Sequence, residues 1–296
     1  MAPFRGVFAN LLTAHAPDGG AFAPAPQRDY VEWVLSHGVH GVTTSLSSGE
    51  FGFHTPDERV AVIDCVIRAT RQRVPVLAGV SEPTLHATCD LAQRAEGCGA
   101  SAVMAMPRSY FVLDEAEVLH YFETLLGAVD IPIGIYNNPS ATGIDISAGL
   151  YEKIVALDPS RITVSKDGSG QLFRTPDVLA RCKDFSMLQG YAQLMLGALV
   201  HGAPGTDFAM ASLLPAHFVR IYESVALHGD LAMARQAYDR LLPLFRLMEK
   251  YDITRMAKAL APMFNLELGP HREPVLPLAA GARAEIHRVV AEIGPA

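Results

Sequence analysis

The sequence predicts an α/β protein, a (β/α)8 barrel with a helical C-terminal extension. Two patterns and one omission carry this reading. Short, near-continuous apolar runs alternate with amphipathic stretches, as in a parallel sheet buried on both faces and joined by helices. Eight such units precede the stretch that starts near Ala216, enough to close a barrel, and from there the periodicity is purely helical. No Gly-x-Gly-x-x-Gly follows the first run, which disfavours the runner-up, an open doubly wound sheet.

Strands are expected at residues 6–11, 41–45, 75–79, 102–106, 131–136, 161–166 and 186–189, with a weaker one at 206–209. Between them, amphipathic helices are expected at 28–36, 56–70, 83–95, 115–126 and 146–157. Two of these carry start signals. Thr55 precedes Pro56 at the first helical position, and Ser81-Glu82-Pro83 offers a second cap. The tail reads as helices at 216–227, 231–251, 254–263 and 282–293. No linker, low-complexity tract or charge block interrupts the chain, so residues 1–228 are assigned to the barrel and 229–296 to an extension packed on it.

The chain has 296 residues, 50% hydrophobic and 19% charged, which suffices for a large core. A net charge of -7 and a pI near 5.9 lack the basic footprint of nucleic-acid binding. No apolar run approaches a membrane span, and Met1-Ala-Pro-Phe-Arg5 lacks the pattern of a secretory signal. A cytoplasmic protein with no membrane partner is expected. Cys65, Cys89, Cys98 and Cys182 form no Cys-x-x-Cys pair and are read as free thiols. The 11 histidines show no zinc-site spacing, so no metal site is expected.

A barrel places its chemistry at the C-terminal ends of strands and in the loops that follow. Those ends carry Ser47-Ser48-Gly49-Glu50 after strand two, Tyr110 after strand four, Tyr136-Asn137-Asn138-Pro139 on strand five, Lys166-Asp167-Gly168 on strand six and Gly190-Tyr191 on strand seven. Lys166 closes a buried run, and desolvation favours the neutral amine. An amine beside the phenol of Tyr136 is what imine formation on a carbonyl substrate requires. Strand alternation puts Pro132, Gly134 and Tyr136 on one face, and Ile162, Val164 and Lys166 on one face. Asp167 therefore points the other way and is read as structural. Glu50 is read as a hydrogen-bonded framework residue.

These motifs, in order and at strand ends, resemble the family of pyruvate-dependent class I aldolases and lyases that includes dihydrodipicolinate synthase and N-acetylneuraminate lyase. The similarity runs from Gly6 to the C-terminal helices. Its carriers are Ser47-Ser48-Gly49-Glu50, Tyr136-Asn137-Asn138-Pro139 and Lys166-Asp167. The resemblance implies catalytic roles for Lys166, Tyr136, Ser47 and Tyr110. Lys166 would form a Schiff base with a 2-oxo acid. Tyr136 would move protons through Ser47 to a Tyr110 donated by a neighbouring subunit. Ser48, Gly49 and Gly190 would bind the substrate, its carboxylate held by Ser47 and Ser48 with the amide groups of the Ser48–Gly49 turn. The resemblance also implies no cofactor, 2-oxo acid and aldehyde partners, and a homotetramer built as a dimer of dimers.

Four departures bear on the substrate. Leu46 stands where the family has glycine. Ala141 stands where the synthases carry an arginine for the second substrate's carboxylate, so condensation of the synthase type becomes an alternative. Gly190 is followed by Tyr191-Ala192 and not by the acidic residues of neuraminate lyases. Asp207 replaces an apolar residue at the end of strand eight; it is expected either to face the mouth and bind substrate hydroxyls or an ammonium, or to cap the next turn. The preferred reading is reversible aldol cleavage of a 2-keto-3-deoxy sugar acid. The segments Ser48–Phe51, Thr55–Glu58 and Lys166–Gly168 also resemble a dehydratase branch that eliminates water by the same imine. A ligand-binding barrel without catalysis is the reading of another class.

Overall fold

The structure, a computed structural model, describes residues 3–296. Its strands are β1 (Gly6–Asn10), β2 (Gly41–Thr44), β3 (Val76–Gly79), β4 (Ala102–Ala105), β5 (Ile133–Asn137), β6 (Ile162–Asp167), β7 (Ser186–Gln189) and β8 (Gly205–Phe208). They pair in parallel in chain order, and β8 closes on β1 with Phe8 opposite Asp207. All eight fall within two residues of the expected spans, because short apolar runs buried on both faces have no other fitting environment.

Inside the barrel, Phe8, Leu77, Met104, Val164 and Leu188 form one packed cluster with Leu46 and Tyr136. Gly134 belongs here for a steric reason: a Cβ at this position would lie 2.1 Å from Met104 Sδ. Outside, the strands pack on a ring of helices: α1 (Pro24–Ser36), α2 (Pro56–Thr70), α3 (Leu85–Cys98), α4 (Glu115–Leu126), the single turn α5 (Pro139–Thr142), α6 (Ala148–Leu157), α7 (Arg174–Arg181), α8 (Met195–Val200) and α9 (Pro215–Ala226).

Thr55 caps α2 as expected, in a reciprocal box with Glu58. The second expected cap is displaced. Helix α3 begins at Leu85 under Thr84, whose hydroxyl accepts the Ala87 amide. Ser81 is drawn away, its hydroxyl accepting the Met106 amide at 2.7 Å and its carbonyl accepting a 2.6 Å bond from Arg59. Helices α7 and α8 were not anticipated, being short, eight and six residues, with Pro176 in the first turn of α7.

The tail continues as α10 (Leu231–Arg240), α11 (Leu242–Lys250), α12 (Ile253–Leu260) and α13 (Ala280–Ile293). The expected single helix over 231–251 breaks at Leu241, because Pro243 lacks an amide proton and crowds the preceding turn. Met256, Leu260, Ile286 and Val290 join Val7, Ala9 and Phe218 in one apolar cluster, which docks the tail on the barrel beside β1 and α9.

Candidate active site

Strands β5 and β6 set Tyr136 directly opposite Lys166. Lys166 is 5% exposed, and its Nζ lies 5.0 Å from the centre of the Tyr136 ring. The Tyr136 hydroxyl is 3.1 Å from Ser47 Oγ and accepts a 3.1 Å bond from Asn138 Nδ2. A phenol held by two polar partners beside an amine can pass a proton to and from a group bound at that amine.

Ser47 is aimed by a constrained loop. After β2 the chain makes a tight 3-10 turn, Ser47–Gly49, between two non-glycine residues in the left-handed region, Ser45 (φ 56) and Glu50 (φ 57). Such residues cost on the order of 1–3 kcal/mol each and persist only where the surroundings over-determine them. Arg59 does so for Ser45. Buried to 1% exposure, its guanidinium donates to Ser45 Oγ at 2.9 Å, to the Ser45 carbonyl at 3.2 Å and to the Gly79 carbonyl at 2.7 Å, and pairs with Glu82. Leu46 has a φ of -103, ordinary extended backbone, and its side chain fills the barrel cluster, so nothing in the local conformation demands the family's glycine.

Glu50 anchors the other end of the turn. Its carboxylate lies 2.7 Å from Lys258 Nζ and 3.2 Å from His271 Nδ1, and accepts the Arg272 amide at 3.1 Å. Burial opposes the Glu50 charge, but His271 and the Lys258 ammonium overcome it and bring the carboxyl down to about 2. Glu50 is thus a framework residue that ties the strand-two loop to α12 and the segment after it. Asp167 is likewise structural: fully buried, it accepts Asn137 Nδ2 and Ser169 Oγ, each at 2.8 Å.

Lys166, Tyr136, Ser47, Ser48 and Gly190 converge on one cavity of about 300 Å³, at the small end of ligand pockets. Gly190 is required by close approach, since a Cβ there would lie 2.5 Å from the Asp167 carbonyl. Two expected positions are corrected. Gly49 does not line the cavity: its amide donates to the Leu46 carbonyl at 2.9 Å within the turn, and its carbonyl accepts Thr13 Oγ1. Asp207 neither faces the mouth nor caps a turn. It lies within β8, fully buried, because an inward position on that strand points into the barrel, where Thr43 Oγ1 donates to Oδ1 at 2.7 Å and Lys166 Nζ stands 3.6 Å away. Tyr110 is 94% exposed, edge-on to Phe111, and its chain does not bring it to Ser47.

Several lining residues escaped the sequence reading. Asn138 occupies the variable place in Tyr-Asn-x-Pro. Met248, Asp252, Ile253 and Thr254, from the end of α11 and the start of α12, form the far wall. Below the cavity, Thr43, the donor to Asp207, was also missed; it shares an inward face with Gly41, whose Cβ would meet the Phe8 ring, and its polar side chain on that face of β2 was the available signal.

The model of the dihydrodipicolinate synthetase family matches residues 3–293. A 4-hydroxy-tetrahydrodipicolinate synthase from Sorangium cellulosum is 31% identical over 285 residues, 96% of this chain and 94% of that one. A crystal structure of a putative dihydrodipicolinate synthetase from Pseudomonas aeruginosa superposes with a TM-score of 0.93 at 31% identity, covering 98% of this chain and 99% of that one. The fold is shared also with a prophage protein of the family from E. coli K12, solved with pyruvate, at a TM-score of 0.94 and 23% identity over the full length of both chains. The chain belongs to the dihydrodipicolinate synthetase family and is an enzyme of its class I aldolase and lyase type.

Proposed function

We propose that this enzyme forms a Schiff base between Lys166 and pyruvate or a related 2-oxo acid, and that its reaction is the reversible aldol cleavage of a 2-keto-3-deoxy sugar acid. The observation that carries the reading is one juxtaposition, a buried lysine amine and the bonded Tyr136–Ser47 hydroxyls opening on a single small cavity. Lys166 attacks the ketone carbon, and water leaves to give an iminium. The iminium draws in the electrons of the C3–C4 bond as Tyr136 removes the C4 hydroxyl proton, so an aldehyde departs and an enamine remains. Tyr136 returns the proton to C3, and hydrolysis frees pyruvate. Ser47 and Ser48 hold the substrate carboxylate.

The cavity wall favours a hydroxylated substrate. Its lining carries Asn138, Ser140, Gln193, Asp252 and Thr254, and Lys166 is its one cation among the described residues. A second substrate carboxylate, as synthase-type condensation requires, would meet Asp252 and no guanidinium there. Elimination of water from the same iminium gives the dehydratase reading, and product analysis separates the two. We further propose that Tyr110 completes the proton relay from a second copy of the chain, within a dimer of dimers; its exposure beside Phe111 and Val112 supports a role outside its own subunit.

The test is intact-mass spectrometry after incubation with pyruvate and borohydride, with Lys166→Ala as control. A reduced adduct on the wild type alone is expected, followed by release of pyruvate from keto-deoxy sugar acids. A wild type that traps nothing would sink the Schiff-base reading.

A further inference from the structure

We infer that Asp207 is the proton partner of Lys166 and the counter-ion of its iminium, so that imine formation takes up no proton from solvent. This rests on the Schiff-base reading above and assigns a part to a carboxylate that the reaction scheme leaves unused.

The geometry is that of a built pair. Asp207 is 0% exposed and lies beneath the cavity, whose lining reaches Lys166 but not Asp207. One oxygen, Oδ1, takes the Thr43 hydroxyl at 2.7 Å and faces Lys166 Nζ at 3.6 Å, while Oδ2 meets no donor among the described residues. A buried carboxylate with a single neutral bond depends on a nearby cation. Thr43 of β2 bonds Asp207, Phe8 of β1 stands opposite Asp207 in register, and Tyr136 of β5 and Leu188 of β7 stand opposite Lys166. Tyr136 is the one titratable member of that set. Burial pushes the Asp207 carboxyl up, and Lys166 and Thr43 work against it, which suits a group that accepts a proton briefly.

The pair is either ammonium with carboxylate or, after one transfer, amine with carboxylic acid; the total charge is the same, and the second form contains the nucleophile. Attack forms the Nζ–C bond and pushes the C=O π electrons onto oxygen. That oxygen leaves as water with two of the three ammonium protons, one of them held meanwhile on Asp207. The nitrogen lone pair closes the C=N bond, and the resulting cation faces a restored carboxylate. Substrate therefore never needs to touch Asp207.

Asp207→Asn keeps the shape and removes the charge. A lysine buried without a counter-charge favours the neutral amine, so its iminium must take a proton from solvent. The experiment measures adduct occupancy at subsaturating pyruvate by cyanoborohydride trapping and intact mass across neutral to alkaline pH. The readout is the variant's occupancy divided by the wild type's, which cancels the pH dependence of the reagent. That ratio is expected to fall by about tenfold per pH unit, the slope of one proton. Thr43→Val disturbs the same corner without removing the charge and is expected to give a flat ratio. Asp207→Ser removes the charge with less volume and gives the same slope if the asparagine variant does not fold. A ratio lowered equally at every pH, or a slope shared by Thr43→Val, means that Asp207 only packs, and overturns the inference. A wild type with no adduct defeats the Schiff-base reading instead, a result these ratios cannot mimic.

Discussion

Replacing Glu50 by glutamine removes one charge and almost no volume from the joint between the barrel and its tail. The Glu50 and Lys258 side chains are 3% and 4% exposed, so solvent screens little of their interaction. The carboxyl is brought from 4.5 to about 2 in the folded chain. At about 1.4 kcal/mol for each tenfold change in proton affinity, that is worth on the order of 3 kcal/mol near neutrality. The figure agrees with the roughly 3–5 kcal/mol lost when one partner of a buried pair is removed. The partner gives a different account: burial lowers the Lys258 pKa despite Glu50, so the ammonium loses on folding. Most of the single variant's cost is therefore a stranded charge and not the net worth of the pair. Urea unfolding of Glu50→Gln at neutral pH should show the full loss, and Glu50→Gln with Lys258→Met should recover most of it. The sign with pH is fixed. A carboxyl whose folded pKa lies below its unfolded value stabilises above the unfolded value, and that stability is lost as pH falls from about 4.5 toward 2. The wild-type advantage should thus shrink in acid. A loss below about 1 kcal/mol at neutral pH, or one equal at both ends of that window, would refute the argument.

Tyr136→Phe should lower turnover by about 10²- to 10⁴-fold, the usual range for a lost acid–base group, while pyruvate remains trappable at Lys166. Loss of the adduct together with turnover would mean that Tyr136 shapes the site and does not carry protons. Tyr110→Phe should reduce turnover with imine formation still detectable, and unchanged turnover would remove Tyr110 from the relay. Gly190→Ala forces a Cβ to within 2.5 Å of the Asp167 carbonyl. Overpacking of this kind costs about 1–3 kcal/mol, to be read from thermal unfolding, and a melting point equal to the wild type's would mean that the β6 and β7 ends separate freely.

What the sequence made legible follows from the range of the forces involved. Strands such as Ile133–Asn137 were readable because a run buried on both faces is apolar whatever surrounds it. Tyr136 and Lys166 were readable because alternation fixes which face a strand residue takes, and the barrel fixes which end carries chemistry. Asp207 was misjudged by depth, not by position. Alternation says that a residue points inward, but whether it stands at the mouth or in the layer below depends on the stagger of eight strands. Gly49 was misjudged because a tight turn consumes its own amide, which motif spacing does not register. The far wall could not be read at all: Asp252 and Thr254 share a cavity with Ser47 only because the tail folds back across more than half the chain. Ser81 failed as a cap because the Met106 amide, over twenty residues later, claims its hydroxyl.

That far wall sets the last test, of substrate choice. Asp252 lines the cavity and also caps α12, its Oδ1 accepting the Arg255 amide at 2.8 Å. Truncation to alanine would confuse the two roles, since a lost cap alone costs about 1 kcal/mol. Asparagine caps as well as aspartate does, so Asp252→Asn removes the charge and leaves the helix start intact. A hydrogen bond to a charged group contributes about 1.5–3 kcal/mol, and the exposure of Asp252 places the lower end in force, equivalent to roughly tenfold in kcat/KM. The loss should appear with glyceraldehyde as the acceptor for pyruvate and be absent with propanal, which offers the wall no hydroxyl. Equal losses with both would mean that Asp252 reads nothing of the aldehyde, and would move the search for specificity to Asn138 and Gln193.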